Sequence, residues 1–418
     1  MREMKDSGIE WIGEIPKEWN LAKVKNLFII GRGRVIAKTE LLDNESGYPV
    51  YSSQTKDDGI LGYISTYDFN KSQLTWTTDG ANAGTVFLRK GKYNCTNVCG
   101  TLLPKTEDYN IKYMKYALEY IAVFHKRADT NGYKIMNNEM AEIRITLPPI
   151  GEQKTIADYL DKKCSQIDEV IRKQEEIIEK LKEYKLSVIT EAVTKGLNHG
   201  TEIKDSGYDF IGDIPAHWEQ CRVRNIGLPQ NGISKGGEYF GQGYPFVSYG
   251  DVYRNYSLPE WVNGLIESTD EEQEQYSVKK GDIFFTRTSE TIEEVGFSCV
   301  CEKEIPHATF AGFLIRVRPY NDKLYTGFAK YYFRSSHHRG YLTKEMNLVT
   351  RASLGQDLLK SMPVLVPPKE EQKVIADVLD KVCSMIDKRI TKTEVLIEKL
   401  KKYRKSLIYE VVTGKKEV

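Results

Sequence analysis

The side chains best suited to specific chemistry lie in glycine-rich and hydroxyl-rich loops in both halves of the chain. Arg and Lys read guanine edges or grip phosphates, Asn reads adenine, and Ser and Thr serve either purpose. Taken singly, each residue is more simply explained as a solvated loop residue, but these loops fall at matching places in the two halves. The sequence therefore predicts a DNA-binding set of Arg32, Arg34, Thr77, Thr78, Asn82, Tyr133, Lys134, Asn137, Asn231, Ser234, Lys235, Tyr249, Arg287, Thr288, Ser289, Thr350, Arg351 and Ser353.

Sequence signatures of catalysis are missing. Two Gly-x-Gly pairs lack the third glycine and the following helix of a dinucleotide or methyl-donor loop, and no GxxxxGK[ST] sequence occurs. The pairs Pro148-Pro149 and Pro367-Pro368 lack the Asn and the aromatic residue of an adenine methyltransferase loop, so they are better interpreted as helix starts. We therefore predict that the chain is not an enzyme, with no catalytic residue and no cofactor of its own.

Size and composition set limits on the class of protein. The 418 residues predict about two to four domains. A formal net charge of +1 means that nucleic-acid binding must rest on local patches. Seven cysteines without a C-x-x-C pair indicate a reduced, cytoplasmic chain. Cys95 with Cys99, or Cys299 with Cys301, could join a histidine in a metal site, but no His has the required spacing and no metal is predicted. Neither a signal peptide nor a membrane-spanning apolar run is evident.

The chain is a tandem duplication with a period of about 200 residues, which is too long for a solenoid. Residues 5–19 return at 204–218 as a lead-in segment expected to be irregular, and residues 152–194 return at 371–413 as a helix. We predict a first variable domain at residues 1–148, a first spacer helix at 149–197, a second variable domain at 198–367 and a second spacer helix at 368–418.

Apolar residues in the two helix copies recur with alternating steps of four and three, which is the heptad pattern of a coiled coil. The simplest way to bury such narrow stripes is to pack the two helices on each other. Antiparallel packing places Gln174 opposite Thr393 as a polar layer that fixes register; alternatively both residues are exposed and interrupt the seam. The predicted seam comprises Leu160, Ile167, Ile171, Gln174, Ile178, Leu181, Leu379, Ile386, Ile390, Thr393, Ile397 and Leu400.

The variable domains share one plan. Strand-like runs occur at residues 25–30, 49–52, 74–77, 85–88 and 101–103, with helices at 111–126 and 326–340 and a loop at 129–138. Residues 47–50 are echoed at 243–246, and the loop at 77–84 corresponds to 286–296. The predicted fold class is α+β, with two similar α/β domains separated by two long helices that form an antiparallel, pseudo-twofold coiled coil.

The opening of each long helix, PP-x-x-EQ-x-x-IA-x-x-LD, resembles that of the specificity (S) subunit of type I restriction–modification systems. The resemblance covers essentially the whole chain and implies two target recognition domains, each reading one half of a bipartite, asymmetric DNA site. It supplies no list of base-contacting residues, because the recognition domains vary within that family. The motif residues are Pro148, Pro149, Glu152, Gln153, Ile156, Ala157, Leu160 and Asp161, with Pro367, Pro368, Glu371, Gln372, Ile375, Ala376, Leu379 and Asp380 in the second copy.

The resemblance also implies partners that carry the chemistry. Two modification subunits would bind S-adenosylmethionine and methylate adenine, and two restriction subunits would use ATP and Mg²⁺ to translocate and cleave DNA. A pseudo-twofold frame would let the two modification subunits dock equivalently. A seam of about 28 residues spans about 40 Å, slightly over one DNA turn of about 34–36 Å, so helix length is expected to set the gap between half-sites.

Two other classes of protein compete with this interpretation. The principal alternative is a coiled-coil interaction scaffold that does not bind DNA and carries two ligand-binding heads. A self-contained methyltransferase-nuclease is disfavoured by the chain length and the missing motifs. A gel shift on random duplexes with the methylating partner present would separate these classes.

Overall fold

The computed structural model describes residues 2–43, 45–130, 132–289, 294–345 and 352–418. The elements of the first half are β1 (Met4–Asp6), β2 (Glu14–Pro16), β3 (Asn20–Lys23), α1 (Val24–Leu27), β4 (Phe28–Arg32), β5 (Tyr48–Tyr51), β6 (Ile60–Ile64), β7 (Gln73–Thr77), β8 (Asp79–Gly80), β9 (Val86–Arg89), β10 (Asn94–Cys95), β11 (Cys99–Pro104), α2 (Ile111–Ile121), β12 (Arg127–Asp129), β13 (Gly132–Lys134), α3 (Asn137–Glu142), β14 (Arg144–Leu147) and α4 (Ile150–Lys195).

The second half repeats this order with additional short helices. Its elements are β15 (Ile203–Asp205), β16 (Asp213–Pro215), β17 (Glu219–Arg222), β18 (Gly227–Asn231), β19 (Phe240–Val247), α5 (Tyr249–Arg254), β20 (Leu265–Ile266), α6 (Asp270–Gln275), β21 (Ile283–Thr286), β22 (Thr288–Ser289), β23 (Ser298–Val300), β24 (Thr309–Phe310), β25 (Leu314–Pro319), α7 (Thr326–Tyr332), α8 (Ser336–Glu345), β26 (Ala352–Ser353), α9 (Gln356–Ser361), β27 (Pro363–Val366) and α10 (Lys369–Val412).

The chain forms two compact units. The first comprises Met1–Glu175 and Glu394–Val418, and the second comprises Glu176–Thr393. Each unit thus contains one variable domain and half of each long helix, whereas the sequence predicted domains and helices as separate successive segments. The physical reason is that the apolar ends of the helices are part of the domain cores: Leu160 and Val411 belong to the core of the first unit.

In the first unit an antiparallel sheet of order β4-β11-β7-β9 lies against α2. Asn110 caps this helix, because its side chain accepts the N–H groups of Lys112 and Tyr113 at 3.0 and 3.1 Å. The smaller sheets are β10-β5-β6, β12-β13-β8, β14-β3 and β1-β2. The lead-in is therefore an antiparallel strand pair at its ends, rather than irregular throughout.

The second unit repeats this topology, except that among the described residues the sheet equivalent to β12-β13-β8 has two strands instead of three. Its central sheet has the order β18-β25-β21-β23, flanked by β20-β19-β24, β22-β26, β17-β27 and β15-β16. The predicted correspondence of loops 77–84 and 286–296 is confirmed by hydrogen bonding, because Gly84 N–H donates to Thr77 O at 2.8 Å and Gly296 N–H donates to Thr286 O at 2.9 Å.

Most predicted elements occur within a few residues of their expected positions, with three differences. The run at 25–30 begins as the helical turn α1, whose buried Val24 and Leu27 pack into the core. The loop at 129–138 contains strand β13 and the start of α3. The helix at 326–340 is two helices, α7 and α8, with a break at residues 333–335.

The long helices run antiparallel within each unit. In the first, Arg404 donates to Asp168 at 2.9 Å, while Val412 at the end of α10 accepts the hydroxyl of Thr146, which precedes the start of α4. In the second, Lys185 near the end of α4 donates to Asp387 near the start of α10 at 2.7 Å. The predicted fold class, with two similar domains and an antiparallel pair of long helices, is confirmed.

All twelve predicted seam residues are buried or half-buried. Thr393 is only 3% exposed and bonds back to the Arg389 carbonyl at 2.9 Å. Gln174 is half-buried. The alternative in which both polar residues are exposed is therefore wrong, while their pairing across the seam stays a prediction.

Candidate nucleic-acid interface

One set of backbone hydrogen bonds joins the same loops in both units. In the first, Thr78 N–H donates to Val98 O at 3.0 Å; in the second, Arg287 N–H donates to Phe313 O at 2.9 Å. These bonds align the two units residue by residue. We call the surface formed by residues 32–35, 79–80, 97–98 and 133–134 the loop edge of the first unit, and that formed by residues 231–234, 287–289, 312–313 and 353 the loop edge of the second.

A glycine fixes the close approach of two loops at each edge. A Cβ on Gly33 would lie 2.2 Å from the Cys95 carbonyl oxygen, and one on Gly232 would lie 2.2 Å from the Phe310 carbonyl oxygen. Both distances are well below any contact that a carbon and an oxygen can make. Only glycine therefore fits where the two loops cross. Because both edges contain such a glycine, the predicted turn around Arg32 is equivalent to residues 231–234.

The side chains on this shared frame differ between the units. At each matched position the two units carry side chains of different chemical type on the same backbone. The matched pairs, first unit before second, are Arg32 and Asn231, Arg34 and Ile233, Val35 and Ser234, Thr78 and Arg287, Asp79 and Thr288, Asn97 and Gly312, Val98 and Phe313, and Lys134 and Ser353. Two surfaces of different chemistry are thus displayed by one fold.

The cations of the first loop edge are held by neighbouring carboxylates. Lys134 lies 2.8 Å from Asp129 and 3.4 Å from Asp79, and Arg32 lies 3.7 Å from Asp79. The hydrogen bond from Lys134 holds the pKa of Asp129 below its ordinary value. Because these pairs are solvent-accessible, each contributes little stability, and an anionic ligand can replace the carboxylates.

Arg34 is also paired, with Glu40 at 2.9 Å and Asp68 at 3.0 Å. The hydrogen bond that Arg34 donates to Glu40 raises the pKa of this guanidinium. The side chain stays 38% exposed, so Arg34 remains at the surface with its charge fixed in place.

Two predicted DNA-binding residues of the first unit lie inside the fold. Thr77 is 1% exposed, and its hydroxyl donates to the Asn82 carbonyl and accepts Thr85 N–H at 3.2 Å. Thr78 is fully buried, and its hydroxyl donates to the Asp79 carboxylate. The structure thus corrects the expectation that these threonines are surface loop residues, because their hydroxyls stabilise the turn.

The other predicted residues of the first unit lie at or beside the loop edge. Asn137 donates to the Gly31 carbonyl at 3.2 Å, next to Arg32. Tyr133 is 43% exposed, with the Lys126 ammonium 4.3 Å from its ring centroid. Asn82 is exposed on the neighbouring loop.

In the second unit, Asn231, Ser234, Arg287, Thr288, Ser289 and Ser353 lie on the loop edge. Ser289 donates to Glu294 at 2.8 Å. Lys235 turns away from the edge, because its ammonium binds Glu272 at 2.6 Å. Tyr249 stacks on Tyr253 with ring centroids 5.8 Å apart and packs against the core. Thr350 and Arg351 lie outside the described residues.

The residues of the helix motif attach each variable domain to the long helices. Glu152 accepts the indole N–H of Trp19 at 2.9 Å, and Glu371 accepts that of Trp218 at 3.1 Å. Charge-assisted hydrogen bonds of this kind are stronger than neutral ones. The motif glutamate therefore fixes the lead-in segment to the first turn of the helix in both units.

The next motif residue caps the domain helix. Gln153 accepts Asn110 N–H at 3.0 Å ahead of α2, and Gln372 accepts Tyr325 N–H at 2.7 Å ahead of α7. Both glutamines are at most 2% exposed, so these contacts are internal to the units.

The motif aspartates hold the same domain helices one turn further along. Asp161 binds the Lys112 ammonium at 2.5 Å and the Tyr116 hydroxyl at 2.8 Å. Asp380 binds Lys330 and Tyr331 in the same way, each at 2.6 Å. The motif that carries the family resemblance therefore makes the joint between domain and helix.

Across the described ranges, no three His, Cys, Asp or Glu side chains come together as ligands for a metal ion. The same part of the chain contains no helix that is long and apolar enough to cross a membrane.

Comparison with known proteins decides the family. The family model described as "Type I restriction modification DNA specificity domain" matches residues 16–183 and 218–399. The chain belongs to this family of DNA specificity subunits. The two matched regions correspond to the two copies of the duplication. The match does not favour the alternative of an interaction scaffold that does not bind DNA.

Individual relatives agree with this assignment. The specificity subunit of the type I restriction enzyme MjaVIII from Methanocaldococcus jannaschii is 26% identical over 416 residues, which cover 96% of this chain and 93% of that protein. The specificity subunit of the type I restriction enzyme MpnII from Mycoplasma pneumoniae is 36% identical over 165 residues, which cover 39% of this chain and 50% of that protein. A solved structure from a study of complex assembly and conformational transition of the type I R-M system has a TM-score of 0.69 and 14% identity, and the match covers 96% of this chain and 99% of that one.

Proposed function

We propose that each unit of this specificity subunit binds one half of a bipartite, asymmetric DNA site through its loop edge. The observation that carries the proposal is the shared frame with different side chains: the first unit has Arg32 where the second has Asn231, and Lys134 where the second has Ser353. A frame that keeps its backbone while exchanging guanidinium, amide and hydroxyl groups is suited to reading different bases at equivalent places.

When the first unit binds DNA, ion pairs within the protein are replaced by contacts with DNA. Arg32 and Lys134 face Asp79 across 3.7 and 3.4 Å, so they are already positioned and charged before DNA arrives. Phosphates or guanine edges then replace the carboxylates as partners, which makes the affinity dependent on salt concentration.

In line with the resemblance, we propose that partner subunits carry the chemistry of the complex, and we assign none to this chain. Two modification subunits would bind S-adenosylmethionine and methylate adenine. Two restriction subunits would bind ATP and Mg²⁺ to translocate and cleave DNA. This chain would recognise the DNA sequence and provide the surface on which the partner subunits dock.

Two equivalent exposed apolar pairs support docking of two like partners. On α4 of the second unit, Ile177 and Tyr184 are 37% and 57% exposed; at the matching positions on α10 of the first unit, Leu396 and Tyr403 are 42% and 56% exposed. Residues seven apart lie on one face of a helix. We assign one modification subunit to each pair.

Tyr184→Glu and Tyr403→Glu should each remove about one modification subunit per complex in native mass spectrometry. Met385→Glu is the control, because Met385 is 63% exposed while its counterpart on α4 is the polar Gln166. Retention of both partners by both variants would overturn the docking assignment.

DNA binding is tested by selection from random duplexes with the complex of this chain and its modification subunit, followed by sequencing of methylated adenines. We expect one enriched bipartite sequence with a fixed gap, and the same sequence methylated in the host genome. Enrichment of no sequence, or of a single undivided one, would contradict the proposal.

A further inference from the structure

An exposed phenylalanine stands in the middle of the loop edge of the second unit. Phe313 is 64% exposed, on the connection between β24 and β25. Its backbone is fixed, because its carbonyl accepts Arg287 N–H at 2.9 Å and the preceding Gly312 donates to the Ile233 carbonyl at 2.8 Å. The ring therefore projects from an anchored loop.

The fold does not require an aromatic residue at this position. Its counterpart in the first unit is Val98, which is half-buried and accepts the same backbone hydrogen bond at 3.0 Å. Leaving a phenyl ring in water forgoes the favourable free energy that its burial would provide. The exposed ring of Phe313 is thus explained better by a ligand than by packing.

The surroundings of Phe313 are polar and cationic. The Arg287 guanidinium lies 3.5 Å from the Gly312 carbonyl, and Ser234 lies against the same glycine, since a Cβ on Gly312 would meet the Ser234 hydroxyl at 2.2 Å. Among the described residues of this edge, Phe313 alone is a large exposed apolar side chain. A single ring beside a cation suits stacked bases flanked by phosphates, whereas a protein partner would be met by a broader apolar patch.

We propose that Phe313 inserts between neighbouring base pairs of the half-site bound by the second unit and unstacks one base step. This inference rests on the proposed DNA reading by that unit. Apolar wedges of this kind kink the duplex, and flexible pyrimidine–purine steps accept them at the lowest cost. The first unit, with Val98 in place of the ring, makes no such insertion.

The test uses the complex with its modification subunit and a duplex carrying the selected site. Permanganate detects unstacked thymines and diethyl pyrocarbonate detects unstacked purines. We expect one hyperreactive step in one half-site of the wild-type complex. Phe313→Ala should lose this hyperreactivity and bind the site at least about tenfold more weakly. Phe313→Trp should keep the hyperreactive step. Trp261→Ala is the matched control, because Trp261 is 74% exposed but lies outside the loop edge; its footprint should equal that of the wild type.

Specific binding without a reactive step that depends on Phe313 would overturn the insertion and leave the proposed function intact. A changed base preference in Phe313→Ala without hyperreactivity would assign the ring to a thymine methyl group and also overturn the insertion. Failure of the wild-type complex to select any site would overturn both proposals.

Discussion

The indole N–H of Trp218 lies 3.1 Å from Glu371, in the first turn of α10. The same ring lies against Gly196 at the end of α4, where an added Cβ would approach it to 3.3 Å. One tryptophan thus joins the start of one long helix to the end of the other within the second unit. Trp19 does the same in the first unit, between Glu152 and Gly414.

Removing the indole N–H donor of Trp218 should lower the stability of the second unit. Trp218→Phe keeps an aromatic ring but leaves Glu371 without the indole hydrogen bond, so we expect a loss of about 1–3 kcal/mol in the free energy of unfolding. Urea denaturation followed by circular dichroism measures the change. The matched Trp261→Phe, at a 74% exposed position, should stay within about 0.5 kcal/mol of wild type. Equal shifts for the two variants would show that the joint adds no stability.

The glycines of the loop edges should not accept a methyl group. Gly33→Ala and Gly232→Ala place a Cβ 2.2 Å from a backbone carbonyl oxygen, so the crossing loops must separate. We expect each variant to lose recognition of one half-site while keeping the other, as measured by binding to duplexes in which one half-site is scrambled. Gly237→Ala is the control, since nothing lies within 4 Å of its added Cβ. Unaltered recognition in the Gly33 and Gly232 variants would contradict the assigned surface.

The second unit should be acid-sensitive because of two buried histidines. Burial lowers the pKa of His337 to about 4, and burial together with His337 lowers the pKa of His338 as well. The unfolded chain then binds more protons than the folded one between about pH 6.5 and 4, so stability falls as the pH falls through that window. Urea midpoints measured across this range should decline, and less steeply in His337→Asn/His338→Asn. The exposed His199→Asn should follow wild type, and equal slopes in all three proteins would refute the assignment.

Arg32 should contribute to DNA binding by the first unit. Arg32→Ala should weaken binding and reduce the slope of log affinity against log salt by about one if the residue contacts a phosphate. Relaxed preference at one base of that half-site would indicate a base contact instead. Arg144→Ala removes an exposed arginine on β14, away from the loop edge, and should change neither quantity. No change in the Arg32 variant would remove this residue from the interface.

The sequence predicted the architecture well because its strongest signals are repeated. The heptad steps from Leu160 and from Leu379 specify two like helices, and the predicted seam residues are buried or half-buried. The assignment of each helix half to a different unit was missed, because it depends on contacts such as Glu152 with Trp19 that are far apart in the chain.

Residue types alone predicted the candidate DNA-binding residues less well than they predicted the architecture. Thr77 and Thr78 have the chemistry of base-reading residues, yet tertiary structure uses their hydroxyls inside a turn. Phe313 was missed because its equivalence to Val98 follows from strand register and long-range hydrogen bonds. The echoed residues 47–50 and 243–246 were correctly matched, since both strands pair in parallel with an equivalent partner.

We propose that continuous helix length sets the distance between the two half-sites. Inserting one heptad between Glu175 and Glu176 in α4 and one between Thr393 and Glu394 in α10 places both insertions where the chain divides into its two units and preserves the heptad phase. The insertion adds about 10 Å of helix, equivalent to about three base pairs at roughly 3.4 Å each. Sequencing of methylated adenines in cells carrying the variant should show both half-sites unchanged and the gap longer by about three base pairs. An unchanged gap, with both half-sites still methylated, would contradict the account.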